Sequence, residues 1–452
     1  MKIIVVGCGK IGTTILSNLV SEGHDVVAVD NNAETISDIT NIYDVMGVCG
    51  NGVDCDVLAE AGVESAELFV SVTGSDEFNM LSCFIAKRMG AKQTIARIRN
   101  PEYNDNSFGF LKQNLNLSVA INPELLAAKE LYNLLKLPAA AKVETFSKRN
   151  FEMIELRLRP DSKLDGMTLI ELKKKYPHNY LICAVKRGDS VYIPDGNFVL
   201  KQGDKIAVAA TISELLKFLK SIDMLKKQAR NVMILGASTT SFYLTKMLLA
   251  GGNNVKIIEK NPARCEQFAE LLPSAVIING DGAQQELLLE EGIGSMDAFV
   301  SLTGMDEQNI LISYFATSQD VARVITKINR DEFGAMADKL GLDSVISPRL
   351  STSNVILRYA RALKNSLGSS METLYKFMDG SAEAMEFIVT PDCEIINKPL
   401  KELNLKPNTL IAGIVRGRKT IIPAGDDEIL PNDNVIVVVA GHRIDNLTEI
   451  IL

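Results

Sequence analysis

The sequence predicts an α/β chain of two tandem halves, each a Rossmann-type parallel-sheet N-lobe followed by a small α+β C-lobe. Three observations carry this expectation. First, the chain repeats itself: Gly7 and Asp30 return as Gly236 and Glu259, 229 residues later. Phe69–Asn79, which reads through Thr73-Gly74-Ser75-Asp76-Glu77, returns as Phe299–Asn309, and Ile182–Pro194 returns as Ile411–Pro423. A period of about half the chain is far above the roughly 20–50 residues of solenoid repeats, so it reads as a duplicated domain pair. Second, short β-branched runs alternate with helical patterns, as a doubly wound parallel sheet requires. Third, a glycine-rich turn joins the first such run to the first helical pattern.

In the first half, residues 2–6, 25–29, 45–49, 67–72, 93–98 and 118–121 are predicted strands. Helical patterns fill 11–22, 76–90 and 101–114, and a longer one runs over 123–136 until Pro138 breaks the chain. Then come a strand over Phe151–Leu158, a helix near 168–176, strands near 180–187, 191–193 and 205–210, and a helix over 211–221. Asp223–Arg230 reads as a polar connector, and the second half repeats the scheme. The expected lobes are 1–140, 141–222, 230–370 and 371–452.

Composition narrows the function. At roughly 150 residues per domain, 452 residues exceed one ordinary core. With 46% hydrophobic and 23% charged residues, disorder and low complexity are excluded. The densest apolar run, Val435–Ala440, is strand-sized, far short of the ~20 residues of a membrane helix. Ile3–Val6 is too short for a signal-peptide core, so a soluble chain is expected. A net charge of −8 attracts neither nucleic acid nor anionic lipid. Seven cysteines without a C-x-x-C pair fit a reducing cytosol. Three histidines, far apart, leave little for a His-based metal site or proton relay.

Gly7-Cys8-Gly9-Lys10-Ile11-Gly12 is a G-x-G-x-x-G turn between strand and helix. Gly7 suits the tight turn, Gly9 the close approach of a pyrophosphate, and Gly12 close helix–strand packing. The helix N-terminus offers unpaired N–H groups to phosphates. Asp30 ends the second strand, where a carboxylate accepts ribose hydroxyls. Without an arginine beside it, this acid suits NAD(H) or an adenine nucleotide better than a 2′-phosphate. Gly50-Asn51-Gly52 and Thr73-Gly74-Ser75 follow the third and fourth strands, at the sheet edge where ligands bind. Arg97 and Arg99, alternating on the fifth strand, point to one face, either as phosphate partners or as solvated edge arginines.

In the second half the turn reads Gly236-Ala237-Ser238-Thr239-Thr240-Ser241. A Cβ at Ser238 crowds the pyrophosphate path, whereas Ser241 is a milder change, and Glu259 keeps the ribose acid. Lys327 and Asn329 replace the two arginines, so the second site is either a different nucleotide site or a vestigial one. For catalysis, Tyr132-x-x-x-Lys136 with Ser118 has a reductase-like spacing but also fits an amphipathic helix. His178 lies in a loop and Asp426-Asp427-Glu428 in an exposed turn, and no carboxylate cluster suggests a bound divalent metal.

Gly7–Gly12, Gly50-Asn51-Gly52, Thr73-Gly-Ser-Asp-Glu-x-Asn79, Ile95-Ala-Arg97-Ile-Arg99-Asn100 and Ile121-Asn122-Pro123-Glu124 resemble the TrkA family along the whole chain. The resemblance implies a cytosolic regulatory subunit of a bacterial Trk potassium uptake system, with two tandem regulator-of-conductance (RCK) units. It implies a homo-oligomeric ring, dimer or tetramer, at the inner face of the membrane, under a separate potassium-translocating subunit. NAD(H), with ATP and ADP as competing ligands, would alter the ring's shape. Gly7, Gly9, Gly12, Asp30, Asn51, Thr73, Arg97 and Arg99 are the nucleotide contacts it implies, with Lys10 and Ile11 in the same turn. Glu124 would help hold a cation near the phosphates, although an acid is also favoured at a helix N-terminus. Arg187 and Arg416 are candidate phosphate partners should the C-lobes bind a second messenger. The competing class is an NAD-dependent oxidoreductase of duplicated Rossmann type, which needs a proton donor and a substrate pocket in the small lobes.

Overall fold

The fold is given by a computed structural model, which describes all residues except 101–102, 104–108, 111–112, 137–141, 147–150, 225–228, 331, 343, 366–370, 379 and 445. The helical pattern over 101–114 and part of the Asp223–Arg230 connector thus lie largely or partly outside the described residues.

The first lobe alternates β1 (Lys2–Val6), α1 (Lys10–Ser21), β2 (Asp25–Asp30), α2 (Ala33–Ile42), β3 (Met46–Cys49), α3 (Cys55–Glu60), β4 (Leu68–Ser71), α4 (Asp76–Arg88), β5 (Thr94–Arg97), β6 (Val119–Ile121) and α5 (Pro123–Lys136). Its strands pair in parallel in the order β3-β2-β1-β4-β5-β6. That is the doubly wound order, and it reverses between β1 and β4, where ligands bind. Ile3–Val6 and Leu68–Val70 are wholly or almost wholly buried, which explains their unbroken β-branched and aromatic character.

The first C-lobe holds β7 (Lys142–Phe146), β8 (Phe151–Arg157), α6 (Leu169–Lys175), β9 (Tyr180–Arg187), β10 (Ser190–Tyr192), β11 (Lys205–Thr211) and α7 (Ile212–Ser221). Its sheet is antiparallel, in the order β10-β9-β11-β8-β7. β7 is absent from the sequence expectation, which begins this lobe at residue 141 but places its first strand at Phe151–Leu158.

The second half repeats both lobes. β12 (Asn231–Leu235), α8 (Thr239–Ala250), β13 (Asn254–Glu259), α9 (Pro262–Leu271), β14 (Val276–Asn279), α10 (Gln285–Glu290), β15 (Ala298–Ser301), α11 (Asp306–Ser318), β16 (Arg323–Lys327), α12 (Glu332–Lys339), β17 (Ser344–Ile346) and α13 (Pro348–Asn365) form the parallel lobe. Its order, β14-β13-β12-β15-β16-β17, matches the first lobe strand for strand. β18 (Met371–Phe377), β19 (Ala382–Ile388), β20 (Thr409–Arg416), β21 (Lys419–Ile421) and β22 (Asn434–Ala440) form the last sheet.

Each N-lobe lends its last helix to the other. From α5, Ala127, Ala128, Leu131, Leu134 and Leu135 are buried in the core of the second parallel sheet, with Val232, Leu244 and Val300. From α13, Ile356, Leu357 and Ala360 are buried in the core of the first sheet, with Ile3, Leu16 and Leu19. Arg323 on β16 donates to the carbonyls of Leu134 and Leu135, closing the C-terminus of α5. Burial brings this guanidinium's pKa down to about 10. The exchange brings the two lobes together, and residues of both phosphate turns line one cavity.

The antiparallel sheets also meet, through a layer rich in small residues: Ala184, Ala207 and Ala209 against Ala384, Ala412 and Val438. A Cβ on Gly413 would lie 2.5 Å from the Phe151 ring, so close packing here depends on glycine. Gly413→Val is therefore expected to lower stability by about 1–3 kcal/mol through overpacking. An unchanged urea midpoint would contradict this account of the C-lobe interface.

Candidate functional site

The turn after β1 is shaped by three glycines with separate tasks. Gly7 has φ +90°, and a Cβ there would sit 2.8 Å from the Thr73 methyl. Gly12 lies beneath the turn, where a Cβ would overlap the Gly7 carbonyl oxygen at 1.9 Å. Gly9 has ordinary backbone angles, and its Cβ position meets nothing within 4 Å. Gly9 is thus small towards an open space, not towards protein. It is also the N-cap of α1, and no side chain caps it. The first-turn N–H groups of such a helix have no intrahelical partner and suit an anion placed beside Gly9.

Asp30 fixes the same turn. One carboxylate oxygen accepts from Cys8 N at 2.7 Å and the other from Asn32 N at 3.0 Å. The Cys8 thiol behind it is pushed up to about 12, chiefly by burial and then by the Asp30 charge, so it stays protonated. Beside the turn, Asn79 is fully buried and holds two sheet ends together. Its Oδ1 accepts from Thr73 N and Thr73 Oγ1, and its Nδ2 donates to Arg97 O at 2.9 Å. Asp76, also buried, accepts from the N–H groups of Arg99 and Asn100. The T-G-x-D-E-x-N stretch is therefore a bracket joining the β4 and β5 ends. Asn309 and Asp306 repeat it in the second lobe.

These ends open into a cavity of about 1040 Å³, at the upper limit of ligand pockets. Gly7, Gly9, Lys10, Ile11, Asp30, Asn51, Thr73, Arg97 and Glu124 all line it. Gly12, Arg99 and Glu259 are not among the described lining residues. Gly12 acts beneath the surface, and the two fifth-strand arginines do not share one task. Arg99 folds back, donating to Gly74 O and lying 3.7 Å from Asp76. Arg97 stays in the cavity, with Nη2 3.7 Å from Glu124 and a buried Nε that has no hydrogen-bond partner. Burial depresses its pKa first, the Arg99 charge second, while Glu124 and Asp76 oppose both.

The cavity also belongs to the second lobe. Ser238, Thr239, Thr240, Arg264, Lys327 and Arg349 line it, and Arg264 and Arg349 are absent from the sequence-level list of contacts. No local signal marks them, because they join the site only when the lobes meet. The turn before α8 differs physically from its counterpart. Gly236 keeps a left-handed φ of +97°, but Ser238 and Ser241 form a reciprocal capping box. Ser238 Oγ accepts from Ser241 N, Ser241 Oγ accepts from Ser238 N, and the Ser241 hydroxyl donates to Gly236 O. This helix N-terminus is occupied by its own serines, where that of α1 is open. Glu259 holds its loop as Asp30 does, accepting from Ala237 N at 2.7 Å and Asn261 N at 2.9 Å.

Several other candidates are placed elsewhere. Arg187 is committed to Asp204 through two 2.8 Å hydrogen bonds and to Val199 O; Arg416 repeats this with Asp433 and Glu428 O. Both guanidiniums thus close their β-sheets around a buried carboxylate, which corrects the reading of them as phosphate partners. Tyr132 packs against the second core with Lys136 over its ring, and Ser118 Oγ accepts from Thr94 N. Among the described residues no group of three or more His, Cys, Asp or Glu side chains could hold a metal. A cation at Glu124 would need phosphate oxygens as further ligands.

Two family models match the chain: that of the TrkA-N domain over residues 3–115 and 232–348, and that of the TrkA-C domain over 153–223 and 384–452. The chain is 34% identical, over 100% of both chains, to the Trk system potassium uptake protein TrkA homolog of Archaeoglobus fulgidus. It is 30% identical to the Trk system potassium uptake protein TrkA of Vibrio alginolyticus, over 98% of this chain and 96% of that one. Among solved structures, the GsuK RCK domain shares its fold with a TM-score of 0.62 at 18% identity, covering 97% of this chain and 92% of that one. The GsuK channel bound to NAD gives 0.61 at 18% identity, with 97% and 77% covered.

Proposed function

The chain belongs to the TrkA family, and from that premise we propose that it is a non-enzymatic, nucleotide-sensing regulatory subunit of a potassium uptake system. Its partner is a separate potassium-translocating membrane subunit of Trk type. Among the described residues no helix is long and apolar enough to cross a membrane. The protein works in the cytoplasm as a homo-oligomeric ring, held at the inner face of the membrane by that partner. The observation that carries this reading is the uncapped N-terminus of α1 beside Asp30, opening into a cavity between two lobes. NAD(H), ATP and ADP compete for the first lobe, and a cation beside Glu124 assists the phosphates.

A site between two lobes converts binding into movement only if ligands prefer different arrangements of those lobes. A tenfold preference per site is about 1.4 kcal/mol, and sites in a ring add. The test is potassium flux through the chain reconstituted with its membrane subunit, in NADH, NAD, ATP and ADP. Flux is expected to differ between nucleotides. Flux indifferent to all four, with hydride transfer by the isolated chain, would overturn the reading in favour of an oxidoreductase.

A further inference from the structure

The two C-lobes share a sheet but not a surface. In the first, α6 and α7 cover one sheet face, burying Leu172, Leu215, Phe218 and Leu219 with Ile154, Ile182 and Val208. The opposite face meets the second C-lobe. At the two equivalent places in the chain the second C-lobe has only single helical turns, Leu400–Glu402 and Leu447–Ile450. Full helices are therefore not needed to close this fold. Charge diverges in the same way. Over residues 142–222 fifteen Lys and Arg stand against ten Asp and Glu, whereas over 371–452 eight stand against thirteen.

What the two helices expose is basic and aliphatic. Lys173, Lys174, Lys175, Lys217 and Lys220 are all exposed. The two acids on these helices are already engaged. Glu171 accepts from Thr168 N, and Glu214 accepts from Asn179 N and pairs with Lys217. Beside them, Lys163 and Asp223 neutralise each other, and Asp165 accepts from Gln202 N. Lys173 is held by the carbonyls of His178 and Tyr180. Lys174, Lys175 and Lys220 are in no ion pair among the described residues. Among these lysines Ile170, Ile212 and Leu216 are 46%, 39% and 37% exposed. Four-residue spacing sets Ile170 and Lys174 in one row of α6, and Ile212, Leu216 and Lys220 in one row of α7.

We propose that this helical face of the first C-lobe docks on an anionic lipid surface. Protein interfaces are enriched in Arg and aromatic residues and depleted in Lys. This face has five Lys, no Arg and no exposed aromatic side chain. Aliphatic side chains enter the headgroup layer while lysines stay level with the lipid phosphates. The acidic remainder of the chain does not cancel the attraction, because charges more than about 10 Å away are screened at 0.1 M salt. The contact goes beyond the regulatory reading: it gives a chain held by a membrane subunit a second hold, on the lipid itself. Such a contact needs little affinity of its own, since the first hold keeps it close to its target.

The experiment is co-sedimentation of the full chain with vesicles of phosphatidylcholine, alone or mixed with an equal part of phosphatidylglycerol. The wild type is expected on the mixed vesicles only, with binding that falls as salt rises. Lys174→Gln with Lys220→Gln should weaken binding about tenfold or more, the scale of two lysines at a lipid surface. Ile212→Ser with Leu216→Ser should weaken it as well. Arg418→Gln with Lys419→Gln, exposed on the second C-lobe, should match the wild type. All these side chains are exposed, so the variants are expected to fold. Equal binding to both vesicles, no binding to either, or no loss in the lysine variant would overturn the docking. Self-association of the wild type without vesicles, lost in the lysine variant, would instead make this face a contact between copies and overturn it too. No nucleotide or membrane subunit is present in the assay, so its failure leaves the regulatory reading standing.

Discussion

Gly9→Val is expected to lower adenine-nucleotide affinity by about a hundredfold, or roughly 2.8 kcal/mol, while leaving the fold intact. Both halves of that statement come from the same geometry. The backbone at Gly9 has φ −67°, which any residue adopts, and the Cβ position meets no protein atom within 4 Å. A valine there touches only what the cavity holds, and it stands in front of the uncapped helix N-terminus. Gly12→Val is the contrasting control. Its Cβ would collide with the Gly7 carbonyl, so stability should fall by about 1–3 kcal/mol or more. Nucleotide titration and thermal unfolding of both variants separate the effects. Unchanged affinity in a folded Gly9→Val variant would remove the first lobe from the candidate sites.

The second large effect is at the junction of α1 and α13. Arg361 donates Nε to Glu22 Oε2 at 2.7 Å and Nη2 to Oε1, and the two side chains are 15% and 5% exposed. Removing one partner strands a buried charge, so Glu22→Ala or Arg361→Ala should each cost about 3–5 kcal/mol. Replacing both together, as Glu22→Leu with Arg361→Met, should cost much less, because no charge is then left unpaired. The cycle is read from urea midpoints of the full chain. Single substitutions costing under about 1 kcal/mol would mean that this ion pair is not what seats the exchanged helix.

The elements were legible because their signals are local. Continuous β-branched runs mark strands buried on both faces, and such runs end within a residue or two of β1, β2, β4 and β5. β7 escaped because Lys142-Val143-Glu144-Thr145-Phe146 is a short edge strand with polar residues at alternate positions, which reads equally as a loop. The G-x-G-x-x-G turn was legible because each glycine answers a constraint within its own neighbourhood. The inequivalence of the two halves was legible for the same reason: two serines stand where two glycines stood.

By itself, then, the sequence determined two parallel lobes, two small lobes, their order, one open phosphate turn and one altered turn. All of these rest on contacts or conformations spanning a few residues. Only the tertiary structure decided that α5 and α13 change places and that the two turns share one cavity. The same holds for Arg97, which faces that cavity while Arg99 folds back onto Gly74 and Asp76. It also committed Arg187 and Arg416 to buried aspartates seventeen residues further along the chain. The reason is physical. Periodicity reports which face of an element is apolar, but not which partner covers it, and with two nearly equivalent sheets the choice is made by helix packing and cross-lobe hydrogen bonds.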